Sequence, residues 1–227
     1  MDLSFIEYLS GFVSERRLSL FKDILSYRTR YISVVLEDIY KSHNASAVLR
    51  TCDAFGIQDI HIIEKENPFE LSTNVTIGSD KWLSISKYNK GSQITTKAFD
   101  RLREQGYRIV ATTPHYKSAS LNEFNLERAK VALVFGSELN GLSEEALNNA
   151  DEFLYIPMVG FSESLNISVS AAIILNSLSS KLRKLDINWK LTDEEQLELL
   201  ESWLLKTLKQ PELYIQKYFG DEFTENE

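Results

Sequence analysis

With 227 residues, 43% of them hydrophobic and 26% charged, the chain has the composition of an ordinary soluble globular protein and the length to bury one substantial core. No stretch approaches the ~20 consecutive apolar residues of a membrane span, the acidic start MDLSFIEYLSGFVSERR does not read as a signal peptide, and the single cysteine, Cys52, excludes an internal disulfide framework and fits a reducing cytoplasm. The formal charge of −8 opposes nucleic-acid binding, but from Asp186 onward there are eleven acids against four lysines, so nearly all the excess acid lies in the tail.

The N-terminal segment carries Arg16, Arg17, Lys22, Arg28 and Arg30, a set that reads from composition as a solvated helix face, or else as a phosphate-contacting patch. Residues 3 to 26 place apolar side chains at helical spacing (Leu3, Phe5, Ile6, Leu9, then Leu18, Phe21, Leu25), which predicts two short helices broken near Gly11 to Ser14. YISVVL, Tyr31 to Leu36, is short and β-branched, the profile of a buried strand. His43 to Phe55 follows as a helix stopped by Gly56, and Ile57 to Ile63 as the next strand. The first unit is therefore βαβ, and its sheet is expected to be parallel. Pro68, Asn74, Gly78 and Ser79 interrupt any period between Asn67 and Asp80, which reads as a long loop, and Trp82 to Tyr88 reads as a short strand. Ser92 to Gln105 is a helix ended by Gly106; Arg108 to Thr112 is a strand leading into a polar loop with Pro114 and His115. Val131 to Phe135, VALVF, is the most buried-looking strand. The loop GSELNGLS opens a short helix at Ser143, where Glu144 and Glu145 suit the positive end of the dipole. Phe153 to Ile156 is the last strand, and after the loop from Pro157 a helix runs to about Leu185. Thr192 to Glu195, TDEE, is a capping box for a helix from Glu194 to Lys209, Pro211 starts another, and the final acidic residues are expected to fray.

No G-x-G-x-x-G follows the first strand, and neither G-x-x-x-x-G-K-[ST] nor H-E-x-x-H occurs, so dinucleotide, P-loop and zincin chemistry have no support. His43, His61 and His115 lack metal-ligand spacing, no metal site is expected, and no serine stands in a G-x-S-x-G elbow. Three loops that follow strands remain: Ser42 to Arg50, Gly136 to Ser143 and Pro157 to Asn166. In a parallel sheet all three open at the same carboxyl edge, where such sheets bind ligands. Asn44 is expected to begin its helix, and Arg50, six residues on and ~9 Å along the axis, leans back so that its guanidinium reaches the site. Gly136 and Gly141 admit close approach of backbone to a ligand, with the carboxylate of Glu138 between them. Ser164, Leu165 and Asn166 stand where the first N–H groups of a helix need acceptors. Singly these are a cap, a surface ion-pair partner, a tight turn and a second cap, and Cys52 is a small buried apolar residue.

Together, Asn44-Ala-Ser-Ala-Val-Leu-Arg50-Thr51, then Phe135-Gly-Ser-Glu138-Leu-Asn-Gly141-Leu, then Ile156-Pro-Met-Val-Gly160 through Ser164-Leu-Asn166-Ile-Ser-Val-Ser170, resemble the three ordered motifs of the SPOUT RNA 2′-O-ribose methyltransferases over roughly residues 25 to 185. The resemblance implies an α/β parallel-sheet fold whose C-terminal part is threaded as a deep trefoil knot, a homodimer whose active site draws on both chains, and S-adenosyl-L-methionine as cofactor. Thr112, Thr113, Gly136, Ile156, Met158 and Leu165 are then expected around the cofactor, and Asn44, Glu138, Ser164 and Asn166 around the reacting hydroxyl. Arg50 is implicated in activating that hydroxyl, either as base or as oxyanion stabiliser. Domain boundaries follow: a helical extension over 1–28, the methyltransferase domain over 29–185, and a helical extension with the acidic tail over 186–227. Helical flanks without a further globular domain look like the TrmH branch, tRNA guanosine 2′-O-methyltransferases acting at position 18 of the D-loop, with Arg16, Arg17, Arg28 and Arg30 as contacts to tRNA phosphates. Methylation of rRNA by a short family member and a noncatalytic RNA-binding protein of the same fold are the alternatives.

Overall fold

The computed structural model describes residues 2–116 and 119–220; the expectation for the last acidic residues lies outside them. The chain divides into two compact units, residues 29–189 and a helical unit drawn from both ends, up to Arg28 and from Lys190.

In the larger unit seven strands form one sheet: β1 (Ile32–Glu37), β2 (Asp59–Ile63), β3 (Ser84–Tyr88), β4 (Tyr107–Thr112), β5 (Ala119–Ser120), β6 (Lys130–Phe135) and β7 (Glu152–Tyr155), in the order β3-β2-β1-β6-β4-β7-β5. Every pairing is parallel, as the βαβ pattern predicts. A parallel sheet is covered on both faces, which is why its central strands read as unbroken apolar runs. Along β1 the alternation is visible in the packing. Ile32, Val34 and Leu36 join one core with Val48 and Leu49 of α3 (Ser42–Ala54) and Ile174, Leu175 and Leu178 of α7 (Ile167–Leu182). Val35 points to the other face, into a core with Ala98, Phe99 and Leu102 of α5 (Ile94–Glu104) and Ala146 of α6 (Glu144–Asn148).

The expected loop from Asn67 to Asp80 contains a helical turn, α4 (Thr73–Thr76), and a 3₁₀ turn, Ser79–Trp82, so β3 begins only at Ser84. The two residues of β5, beside β7, have no counterpart among the predicted elements. α3 starts one residue earlier than its apolar pattern suggests, with Lys41 at the cap position and no side-chain cap. Asn44, expected as that cap, is instead a buried residue of the first turn, because its amide is engaged by the loops described below.

The helical unit holds α1 (Leu3–Ser10), α2 (Glu15–Leu25), α8 (Asp193–Thr207) and α9 (Pro211–Phe219), packed around Leu9, Phe21, Leu25, Leu199, Trp203 and Leu204. The capping box at α8 is formed: Glu195 N–H donates to Thr192 Oγ1 at 3.2 Å and Thr192 N–H to Glu195 Oε2 at 2.8 Å. Arg28 overturns its assignment as a phosphate contact. It is 1% exposed, with its guanidinium 5.3 Å from the Trp203 ring centroid, and a cation buried against an indole is not presented to a phosphate in solvent. No helix among the described residues is long and apolar enough to cross a membrane.

Candidate active site

At the carboxyl edge of the sheet, the segments that leave β4, β6 and β7 enclose a cavity of about 310 Å³, closed on one side by α7. The size falls within the ~300–1,000 Å³ typical of small-molecule sites. Thr112 and Thr113 wall it after β4, with the hydroxyl of Thr112 donating to Val134 O at 2.8 Å and Thr113 N–H to Leu154 O at 3.0 Å. Gly136 to Leu142 form the middle wall. This loop doubles back on itself: Ser137 N–H donates to Gly141 O at 2.9 Å and Gly141 N–H to Ser137 O at 3.0 Å. At Gly136 a Cβ would lie 2.2 Å from the carbonyl carbon of Gly141, so no other residue fits there without moving backbone, and Gly141 turns the chain with φ +67°. Ile156, Met158, Ser164 and Leu165 form the third wall after β7.

Beside the cavity three distant parts of the chain meet at two amides and a carboxylate. Asn44 Nδ2 donates to Glu138 Oε1 at 2.5 Å, and Asn166 Nδ2 donates to Asn44 Oδ1 at 3.3 Å. Asn166 is also the N-cap of α7, its Oδ1 accepting from Ser168 N–H at 2.9 Å, so the cap and the cluster use opposite ends of one amide. Glu138 Oε2 is buried and makes no hydrogen bond among the described residues, an acceptor left over in the wall of a cavity.

All six residues expected around a cofactor, Thr112, Thr113, Gly136, Ile156, Met158 and Leu165, line this one cavity, as do Glu138 and Ser164. Asn44 and Asn166 stand behind Glu138 rather than in the wall. Arg50 is not brought in. It is exposed on α3, does not line the cavity, and makes no hydrogen bond or ion pair among the described residues. Arg16 and Arg17 are exposed on α2, whereas Arg30 is part-buried, with Nε 3.4 Å from Asp59 Oδ1. Sequence reasoning missed Leu142 and the α7 face made by Ile167, Ser170 and Ile174, whose spacing of three and four residues was the available signal. It also missed Tyr116, which lines the cavity and stacks on Phe153 at 4.7 Å between ring centroids.

An all-parallel α/β sheet with a concave site at its carboxyl edge, built from the turns of three strands, defines a ligand-binding protein of the open α/β class. Within that class the chain belongs to the SpoU rRNA Methylase family, which matches residues 31–176. It is 41% identical over 204 residues to a tRNA (guanosine(18)-2′-O)-methyltransferase of Borreliella burgdorferi, covering 90% of this chain and 91% of that one. A protein of the same name from Thermus thermophilus is 33% identical over 195 residues, 85% of this chain and 98% of the relative. Among solved structures, the A. aeolicus TrmH/SpoU tRNA modifying enzyme matches with a TM-score of 0.75 at 29% identity, over 86% of this chain and 98% of that one. An AdoMet-bound rRNA methyltransferase from Sinorhizobium meliloti matches with a TM-score of 0.58 at 27% identity, over 73% and 61% of the respective chains.

Proposed function

We propose that this chain is a tRNA (guanosine-2′-O-)-methyltransferase that uses S-adenosyl-L-methionine to methylate the ribose of guanosine 18 in the D-loop, working in the cytoplasm as a homodimer. The observation that carries the reading is the meeting of Asn44, Glu138 and Asn166 beside a cavity lined by all six residues expected at a cofactor. The near full-length relatives named for that reaction give its substrate.

The residues present suit the methyl donor. Threonine hydroxyls, backbone groups of the Gly136–Leu142 loop and the apolar side chains of Ile156, Met158 and Leu165 share the wall, and Glu138 Oε2 offers an unused acceptor. Thr112, Thr113, Gly136, Ile156, Met158 and Leu165 would hold it. When bound, it supplies a methyl group activated by a sulfonium. The protein must then orient the ribose hydroxyl and stabilise its oxygen as the proton leaves. Arg50 takes that role as an oxyanion partner, because a guanidinium holds its proton too firmly to serve as a base and presents a planar fork of donors. Glu138, held by Asn44, and Ser164 with Asn166 shape the floor on which the ribose rests.

The methyltransferase domain, residues 29–185, carries the chemistry, and the extension over 1–28 meets the tRNA. Arg16 and Arg17 contact its phosphates, with Arg30 a third cation shared with Asp59. The motif resemblance implies that the segment after β7 is threaded as a trefoil knot. The test is to incubate the protein with labelled methyl donor and total tRNA or rRNA, then map the product by mass spectrometry. 2′-O-Methylguanosine at position 18 of tRNA is expected. Label confined to rRNA would replace the substrate, and donor binding without any transfer would make the chain a noncatalytic RNA binder.

A further inference from the structure

Glu37, the last residue of β1, is 2% exposed and does not line the cavity, yet four donors converge on its carboxylate. Thr95 Oγ1 donates to Oε1 at 2.7 Å, Ser143 Oγ donates to Oε1 at 2.7 Å, Ser143 N–H donates to Oε2 at 2.9 Å, and Lys65 Nζ lies 3.0 Å from Oε1. Three of the four fall on Oε1 and one on Oε2, so both oxygens of the buried carboxylate are engaged. Lys65 Nζ also reaches Ser143 Oγ and Glu145 Oε2, each at 3.0 Å, and Glu145 Oε1 accepts from Thr96 N–H at 3.0 Å. Strand β1, the segment after β2, the start of α5 and the start of α6 are thereby tied to one buried anion.

What the anion holds is the end of the cavity loop. Ser143 directly follows Leu142, which lines the cavity, and closes the loop that carries Gly136 and Glu138. Ser143 Oγ also accepts from Ala146 N–H at 3.2 Å, so its hydroxyl caps α6 with one side and donates to Glu37 with the other. Without the tether, the loop keeps its internal Ser137–Gly141 bonds, which fix its curvature, and the bond from Asn44 at Glu138, while its α6 end loses its anchor to β1.

We propose that Glu37 is the positioning residue of this reaction: from beneath the sheet edge it sets where the Gly136–Leu142 wall stands, and so sets affinity for the methyl donor. The donor's identity rests on the function proposed above; the tether does not. Gln is a sharp probe despite its shape, since its amide nitrogen must face either the Ser143 N–H or the Lys65 ammonium, both of which only donate.

Three measurements test this on the full chain. Calorimetry with S-adenosylmethionine should show Glu37→Gln weakened by about tenfold or more and Ser143→Ala by about threefold, and the double variant should be no weaker than Glu37→Gln alone because both act through one tether. In the methylation assay Glu37→Gln should raise the KM for the donor by about tenfold while kcat at saturating donor falls less than about threefold, a split that mere loss of folded protein does not produce. Amide exchange without donor should be faster at Ser137, Gly141 and Ser143 in Glu37→Gln than in the parent, with β1 and β6 unchanged. Parental exchange in this loop, parental donor affinity, or strictly additive effects would overturn the proposal. If Glu37→Gln fails to fold, Ser143→Ala decides alone, and parental exchange and affinity there would overturn it as well. If the parent protein takes up no donor, the methyltransferase reading falls, and the donor-free exchange still decides the role of Glu37.

Discussion

Arg50 stands exposed on α3 while Asn44, six residues earlier on the same helix, is buried against Glu138. A guanidinium used as a fixed fork is not replaced by an ammonium, which is a point charge with different reach. Arg50→Lys is therefore expected to lower kcat by about 100-fold or more, the scale of losing one preorganised oxyanion donor, with donor affinity by calorimetry unchanged. Near-normal turnover in that variant would remove Arg50 from the mechanism. Leu165 fails differently, because it lines the cavity itself. Leu165→Asp sets a carboxylate against apolar side chains and should abolish donor binding, and unchanged affinity would take Leu165 off the wall. Gly136→Ala tests the turn itself. A methyl group 2.2 Å from the Gly141 backbone must displace the loop, so the variant should fold and lose donor affinity together with Glu138 placement.

Strand β2 carries a pH dependence that lies outside the cavity. Burial holds His61 down from 6.5 to about 4, helped by the nearby Arg101 cation, and its Nδ1 lies 3.0 Å from the Tyr88 hydroxyl. The folded state thus binds the proton less readily than the unfolded chain. Stability is fully present above pH 6.5 and is lost as pH falls toward about 4, by about 3 kcal/mol over the whole interval. Asp38, Glu64 and Glu145 are each opposed by burial but lowered by the hydrogen bonds they accept, so their contributions fade only below their ordinary values of 3.8 and 4.5. Burial raises Glu201 above its ordinary 4.5, which acts in the opposite sense, so the difference between the parent and His61→Gln in urea unfolding between pH 5 and pH 6.5 reports His61, and the variant should lose the rise in stability with pH that the histidine supplies there. An unchanged slope would show that the histidine ionises freely in the fold. The same strand shows how much of the element pattern was legible. β1, β2, β4 and β6 were readable because burial on both faces makes each a short, largely apolar run bounded by turn residues, and β7, with only Leu154 buried, still reads as apolar from Phe153 to Ile156. β5 was not, because two residues have no period, and α4 and the Ser79–Trp82 turn were hidden by Asn74, inside the one, and Gly78, just before the other, which read as loop residues. In the site, the three loops could be gathered at one edge from parallel connectivity alone. The partner of Asn44 is 94 residues away and the ring that buries Arg28 is farther still, and no local spacing reports such contacts.

At the scale of the whole molecule, a chain of net charge −8 must bind a polyanion, so the cations that do so have to be local and their binding salt-sensitive. Replacing Arg16 or Arg17 with Ala should lower the slope of log affinity against log salt by nearly one for each phosphate no longer neutralised, and an unchanged slope would move the tRNA surface elsewhere. The same scale bears on the proposed homodimer. Val159 and Phe161 are fully exposed, and Val169 and Ile173 form an exposed apolar pair four residues apart on α7, continuing from Leu165 at the cavity. Charged side chains at both helix positions, Val169→Glu with Ile173→Glu, should give a monomer by sedimentation. A second copy seated there would account for Arg50 standing off its own cavity, by bringing it to the partner's. Two inactive variants then complement each other. In a mixed dimer of Arg50→Lys and Leu165→Asp chains, one site receives both changes and the other receives neither. Random pairing on co-expression makes half the dimers mixed, so activity should return to about a quarter of the parent's per chain. Each variant alone stays inactive. If Arg50 instead swings into the cavity of its own chain, every site in the mixture carries one defect and no activity returns, which would place the whole reaction within a single chain.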